Sequence, residues 1–242
     1  MLKSMLKSGL RKLGYQMGRY VEPEYEYEPL ERSLRHLCQG KAEHVIFDVG
    51  AHVGHTENQL RKMFPDATIH CFEPFPESFD VLKTSVSGRS FAHNFGLAET
   101  VGPRTFQSNP MAATNSLLPL EESAAATWEL NALKSGVEIE CHFETIDEFM
   151  KSNAIKQLDI LKIDTQGTEY LVLEGAKTAL SSKSIKNIYL EIINAPTYVG
   201  QKDFPFYVDL FDGLGFRLFG LYDNWHGSTG ELLQLDALFT LK

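Results

Sequence analysis

The stretch that most limits the fold is Val45-Ile-Phe-Asp-Val-Gly-Ala-His-Val-Gly54, an apolar run that reaches an acid and then a pair of glycines. Val45 to Val49 has the composition of a strand buried on both faces, and Gly50 and Gly54 bracket a tight turn that should open a helix over His55 to Phe64. A second run, His70-Cys-Phe-Glu-Pro74, follows after one strand-helix-strand interval. Asp48 and Glu73 are therefore expected at neighbouring ends of a parallel sheet, where an acid meets ribose hydroxyls. The spacing implies a cofactor that carries adenosine.

The rest of the chain alternates strand-like and helix-like segments, the pattern of a doubly wound α/β sheet. Strands are expected at 44–49, 68–73, 90–95, 158–164, 186–192, 215–221 and 235–241. The connector between the last two is too short for a helical crossover, so they should form an antiparallel hairpin at one end of the sheet. Between the third and fourth strands lies a long excursion, with strand-like pieces at Arg104–Gln107 and Val137–Phe143 around a helix-like stretch, Leu120–Lys134. Such excursions often cover a site.

At 242 residues and 43% hydrophobic content, the chain can bury the core of one α/β domain with an appendage. The appendage is residues 1–30. Within residues 1–20, Leu2, Met5, Leu6, Leu10, Leu13 and Met17 recur at helical spacing among five cations and no acid, which reads as a basic amphipathic helix. It either packs on the domain or a second subunit, making a homodimer, or binds a membrane surface or a partner. The first reading is preferred. Glu22–Pro29 has linker character, and the main domain is expected over residues 31–242.

A net charge of -9 argues against nucleic acid as the main partner, because phosphate backbones demand clustered Lys and Arg. A neutral or modestly polar small molecule or glycan fits better. Cys38, Cys71 and Cys141 are odd in number and widely spaced, which suggests neither a disulfide framework nor a zinc site and points to a reducing cytoplasm. No run of about eighteen apolar residues is present, and the N-terminus lacks the apolar core of a signal peptide, so neither a membrane span nor export is expected.

The turn itself narrows the cofactor. A dinucleotide site wants G-x-G-x-x-G, whose middle glycine lets the backbone touch a pyrophosphate. Gly50-Ala-His-Val-Gly54 lacks that glycine. S-adenosylmethionine has no pyrophosphate and needs no such approach. Asp48 is then expected to hold its ammonium region and Glu73 its ribose hydroxyls, with Pro74 ending the strand so that the carboxylate points into the cleft.

A second acidic cluster follows. The strand Leu158–Ile163 runs into Asp164 and the polar turn Thr165-Gln-Gly-Thr, with Glu169 in the next helical turn, where it is either a site residue or a charge favoured by the helix dipole. Glu191 sits near the carboxyl end of Ile188-Tyr-Leu-Glu-Ile192. Open α/β sheets bind ligands outside the carboxyl ends of their strands, so Asp48, Glu73, Asp164 and Glu191 should converge.

These motifs together resemble the FkbM family of class I S-adenosylmethionine-dependent methyltransferases, over roughly residues 44–242. The matching pieces are Asp48–Gly54, Phe72–Pro74, Asn94–Ala98, Thr145–Asp147, Leu161–Glu169 and Leu190–Ile192; Pro196–Gln201 and Asp236–Phe239 match a subset of the family. The resemblance implies a Rossmann-like, seven-stranded, mostly parallel sheet with an antiparallel last strand and helices on both faces. It also implies O-methylation of a hydroxyl on a sugar or secondary metabolite. Carried over by position, Asp48, Gly50, Ala51, His52, Gly54, Glu73, Pro74, Asn94, Gly96 and Asp164 would bind the cofactor. Two positions depart from the family pattern: Gln166 stands where Glu is common, which puts in doubt any role needing a charge there, and His52 stands where Asn is common.

Methyl transfer to a hydroxyl also needs a proton acceptor. Asp164 and Glu191 are the first candidates, with His142 and Glu169 behind them, and an acid could instead hold a divalent metal. His55, His70 and His93 read as helix and strand residues. Phe75, Trp128, Tyr198, Tyr222 and Trp225 are candidates for a sugar-stacking wall or for core. The rival readings are a nicotinamide oxidoreductase, disfavoured by the missing glycine, and a scaffold that keeps the fold without turnover.

Overall fold

The computed structural model describes residues 29–107, 115–128 and 138–242. The expected basic helix, most of its linker and part of the Leu120–Lys134 stretch lie outside these residues. In chain order the elements are α1 (Pro29–Leu37), β1 (Val45–Val49), α2 (His55–Met63), β2 (Thr68–Phe72), α3 (Pro76–Ser85), β3 (Ser90–His93), β4 (Gly96–Leu97) and β5 (Gly102–Gln107). There follow α4 (Ala124–Thr127), β6 (Glu138–Glu144), α5 (Ile146–Ser152), β7 (Leu158–Ile163), α6 (Glu169–Glu174), α7 (Lys177–Ser181), β8 (Ile185–Ile193), α8 (Phe204–Gly213), β9 (Phe216–His226) and β10 (Leu232–Leu241).

Seven strands form one sheet in the order β3-β2-β1-β7-β8-β10-β9. From β3 to β8 all pairs are parallel, and β10 runs antiparallel to both β8 and β9. This is the mostly parallel sheet with a reversed last strand that the family resemblance implies. The hairpin is longer than expected from sequence, because β9 continues through Tyr222 to His226 on a face with little burial that carries no alternating signal. The strand expected at 90–95 is shorter. It ends at His93, and Gly96–Leu97 turns away to pair with β6 in a separate three-stranded sheet, β4-β6-β5.

Alternation along the central strands feeds two cores. Phe47, Val49, Leu161, Ile163, Leu190 and Ile192 point to one face, where Phe149 of α5, Val172 of α6, Leu180 of α7 and Tyr207 and Phe211 of α8 cover them. Ile46, Ile69, Cys71, Ile160 and Leu238 point to the other, under Leu34 of α1, Leu60 of α2 and Leu82 of α3. Each fully buried side chain of this size contributes about 1.5–3 kcal/mol of apolar transfer, so these faces rather than the short helices carry the fold. Local signals still set helix starts: Thr145 Oγ1 accepts from the Glu148 amide at 3.1 Å, and Asp203 Oδ1 accepts from the Phe206 amide at 3.1 Å.

The ends of β1 and β7 approach too closely for a side chain. Gly50 has φ 76°, and a Cβ on it would lie 1.8 Å from the Asp164 carbonyl oxygen. Gly54 opens α2 at φ 93°, with the Ser85 hydroxyl 2.6 Å from where a Cβ would stand. We expect Gly50→Ala to destabilise the chain by about 3 kcal/mol or to prevent folding, through a clash and left-handed strain combined. Urea unfolding followed by circular dichroism checks this; a loss under about 1 kcal/mol would show that the strands part easily.

Beneath the β2–β3 edge, His70 and His93 stack at 5.3 Å, share an Nδ1···Nε2 hydrogen bond of 3.1 Å, and sit among Phe47, Phe72 and Phe149. Burial lowers both to about 4, with the neighbouring ring adding to the effect on His70. Their folded values lie below the unfolded one, so the stability they allow is present at neutral pH and is lost as pH falls from about 6.5 toward 4. Replacing both by Phe should make unfolding less acid-sensitive by about 2 kcal/mol across that window, less than full linkage because both rings keep some solvent access. Urea titrations at pH 7 and pH 4 measure the difference; an unchanged one sinks the assignment.

Candidate active site

A pocket of about 240 Å³ opens at the carboxyl ends of β1, β2, β7 and β8. Its first wall is the β1–α2 turn. The Gly50 and Ala51 amides both donate to the Phe72 carbonyl at 3.0 Å, binding the turn to the end of β2. His52 adopts φ 47°, a left-handed conformation that Asn, Asp and His tolerate better than most residues, which is a physical reason for His to serve where Asn is common. Its amide donates to Glu73 Oε2 at 2.9 Å, and the Phe75 amide donates to Glu73 Oε1 at 2.9 Å.

Glu73 is buried, and desolvation raises it to about 7 against the pull of those two amides. Each carboxylate oxygen accepts one backbone hydrogen bond and keeps acceptor capacity toward the pocket, which Glu73 lines beside Pro74. Gly96 and Leu97 of β4 and Phe143 of β6 close this end, and the Phe143 ring fills the space a side chain on Gly96 would need. Asn94 stands behind the wall, where its side-chain amide donates to the Glu73 and Pro74 carbonyls at 3.2 and 3.4 Å.

The second wall is the turn after β7. Asp164 lines the pocket with its side chain one-third exposed, and its amide donates to the Val49 carbonyl at 3.0 Å. Gln166, at φ 55°, spans the acids: Nε2 donates to Asp164 Oδ1 at 3.1 Å and to Glu191 Oε2 at 2.8 Å. Its Oε1 accepts from the Tyr198 hydroxyl at 3.2 Å, which fixes the amide orientation, and its backbone carbonyl accepts from Ser116 Oγ at 2.7 Å. An amide here can donate to two carboxylates at once, whereas a Glu would add a third negative charge to the same contact.

Glu191 also accepts from Gln234 Nε2 at 2.5 Å. Burial raises its pKa well above the usual carboxylate range, and the Asp164 charge adds to the rise. Glu169 is close in sequence but does another job. Its Oε1 accepts from the Thr165 and Gly167 amides at 2.9 and 3.1 Å and from Thr165 Oγ1 at 3.2 Å, so it holds the turn together; burial raises it to about 7.

Several sequence expectations are corrected. Asp48 does not reach the pocket: it is 0% exposed and lies on the opposite strand face, 3.0 Å from the Lys162 ammonium. Side-chain alternation from Phe47 and Val49 puts it there. Among the described residues no other donor compensates its carboxylate. Burial pushes Asp48 up, and Lys162 opposes the rise; burial alone would lower Lys162, but Asp48 and Asp164 outweigh it and raise the ammonium above its usual range. Flanked by two acids, the Lys162 ammonium keeps its charge.

Ala51 and Gly54 shape the turn without lining the pocket, and Asn94 acts from behind it. His142 faces away on β6, half exposed and 4.0 Å from Glu144. None of the five aromatics proposed as a stacking wall lines the pocket: Tyr198 braces Gln166, Trp128 Nε1 donates to Thr197 Oγ1 at 2.7 Å, the Tyr222 hydroxyl donates to Ser33 Oγ at 2.8 Å, Phe75 is buried, and Trp225 is 63% exposed on β9. Sequence reading missed Lys162, Asn115 and Phe143. Lys162 had a signal, a charge inside an otherwise apolar strand; the other two had none.

Among the described residues no group of three or more His, Cys, Asp or Glu is arranged to hold a metal. Asp164 and Glu191 are bridged by an amide instead, so no step is assigned to a divalent ion. Likewise, no helix among the described residues is long and apolar enough to cross a membrane.

The chain is similar to several characterised proteins. It is 24% identical over 149 residues to the hexuronic acid methyltransferase AglP of Haloferax volcanii, a match covering 60% of this chain and 55% of that one. It is 26% identical over 229 residues to the 31-O-demethyl-FK506 methyltransferase FkbM of Streptomyces tacrolimicus, covering 84% of each chain. Among solved structures, M. capricolum TrmK with S-adenosyl-homocysteine superposes with a TM-score of 0.46 at 10% identity, over 89% of this chain and 69% of that one. A family model described as Methyltransferase FkbM domain matches residues 48–218. With two thirds of its length inside that match and the sheet order in agreement, the chain belongs to the FkbM methyltransferase family.

Proposed function

We propose that the chain is an S-adenosylmethionine-dependent O-methyltransferase acting on a hydroxyl of a sugar, glycan or secondary metabolite. The observation that carries this reading is the Glu73 carboxylate, held by two backbone amides at one end of a pocket whose other end carries Asp164 and Glu191. The names of the two relatives, one a hexuronic acid methyltransferase and one a 31-O-demethyl-FK506 methyltransferase, support the acceptor class. Residues 31–242 would form the catalytic domain and residues 1–30 an appendage. The three buried free cysteines fit a reducing cytoplasm.

The pocket suits the cofactor. Gly50 leaves backbone bare where a side chain cannot stand, and Glu73 offers acceptor capacity on both oxygens for vicinal ribose hydroxyls. Glu73, Pro74, Gly96 and Leu97 would hold the adenosine end, with His52, Gly50 and Asp164 at the methionine end. When bound, the cofactor supplies an electrophilic methyl group. The chain's own part is to fix the acceptor hydroxyl in line with that methyl and to take its proton.

Glu191 is the group best placed to accept the proton. Its raised affinity for a proton makes it a stronger base than an ordinary carboxylate, and Gln166 and Gln234 each hold one of its oxygens so that it cannot swing away. Asp164, beside it and more exposed, would orient the hydroxyl or a neighbouring one. The oxidoreductase reading gives way to the family match.

Calorimetry should detect S-adenosylmethionine binding, with Glu73→Gln weakening it about tenfold, the worth of one or two charge-assisted hydrogen bonds. Glu73 loses its charge as pH falls through about 7, so affinity for the unmodified chain should decline below that pH and the Gln variant should not. Tritiated-methyl incorporation over a panel of glycans and hydroxylated metabolites tests turnover; Glu191→Gln should lower it about a hundredfold while cofactor affinity changes little. Binding of NAD without S-adenosylmethionine would overturn the reading.

A further inference from the structure

Lys162 is the one cation built into the described strand ends around the pocket, and it occupies β7 where every neighbouring strand position is apolar except Asp159 at the far end. Its side chain is 6% exposed. The ammonium reaches three acceptors: Asp48 Oδ1 at 3.0 Å, the Gly50 carbonyl at 3.2 Å and Asp164 Oδ2 at 3.5 Å. The Gly50 contact is a hydrogen bond, and the two carboxylates are ion-pair partners. Two of the three acceptors belong to pocket-lining residues on different turns, and the third, Asp48, is sealed from solvent.

The folding energetics give no reason for such a pair. Taking two charges out of water costs several kcal/mol per ion, and apolar replacements of similar volume are often neutral or better. The sheet here is already pinned by the Asp164 amide donating to the Val49 carbonyl and by the β1–β7 ladder. What the ladder does not fix is the direction of the Asp164 side chain, which is held otherwise by a single hydrogen bond to Gln166. The Gly50 carbonyl lies in the same planar peptide as the Ala51 amide, which donates to the Phe72 carbonyl, so it gives the ammonium a fixed anchor.

We propose that Lys162 is a positioning residue for the methionine end of the cofactor pocket: anchored on the Gly50 carbonyl, its ammonium clasps the Asp164 carboxylate in place, and Asp48 acts through Lys162 rather than on the cofactor. The proposal rests on the cofactor reading above. It assigns the two ends of the pocket different supports, because the Phe75 amide and the Asn94 side chain hold the Glu73 end, and neither touches Lys162. Loss of the clasp therefore disturbs one end and spares the other.

Calorimetry with two probes, S-adenosylmethionine and adenosine, separates this role from a purely structural one. Lys162→Met leaves Asp48 buried without its cation, so the decisive variant is the double change Asp48→Asn with Lys162→Met, which removes both charges. In the folded double variant, S-adenosylmethionine affinity should fall about tenfold, the effect of misplacing one or two polar contacts, while adenosine affinity stays within about twofold. Equal loss of both probes, or retention of both, overturns the proposal. A double variant that fails to fold shows the pair to be structural and overturns it too. Absence of S-adenosylmethionine binding to the unmodified chain is a different result: it defeats the cofactor reading before any variant is compared, and the proposal with it.

Discussion

Everything around the pocket depends on how closely the ends of β1 and β7 run. The Asp164 amide donates to the Val49 carbonyl at 3.0 Å, and the next residue of β1 has space for a hydrogen where a methyl group would stand 1.8 Å from a carbonyl oxygen. That contact forces Gly50 and with it a left-handed turn, which aims the His52 amide at Glu73. It also sets the two turns of the pocket side by side, so that residues 114 positions apart in the chain, Gly50 and Asp164, share one wall. A packed contact between two backbones tolerates no partial version.

Charge is the second constraint. Glu73, Asp164 and Glu191 line one small cavity, with Asp48 and Glu169 buried close behind. Water would ordinarily screen such a group; burial removes it from Glu73 and Glu191, and these two hold their protons more tightly. The chain compensates mostly with neutral donors. Backbone amides serve Glu73 and Glu169, side-chain amides of Gln166 and Gln234 serve Glu191, and a single ammonium serves Asp48 and Asp164. Neutral donors orient a carboxylate without pulling its pKa down as far as a cation would.

Strong local patterns made much of this legible. The continuous apolar runs of the central strands, the paired glycines and the acids at strand ends placed β1, β2, β7 and β8 and put Glu73, Asp164 and Glu191 at one crevice. Weaker patterns failed in physical ways. Asp48 looks like Glu73 in sequence, yet one sits before a strand's last residue and the other just after it, and alternation sends the first into the opposite core. His142 looks like a base and lies on an exposed strand of the small sheet, whose pairing depends on contacts 40 residues away. The aromatics gave no directional signal, since an aromatic at a strand or loop is as suited to bracing as to stacking.

By itself, the sequence determined the element types, the turn that lacks the middle glycine of a pyrophosphate site and the acids available for chemistry, because each is written in a short window of residues. Which acid faces a ligand, which is neutralised by Lys162, and how Gln166 joins Asp164 to Glu191 were decided only by the tertiary structure. Those outcomes rest on side-chain direction and on distances between segments far apart in the chain, and a linear pattern carries neither.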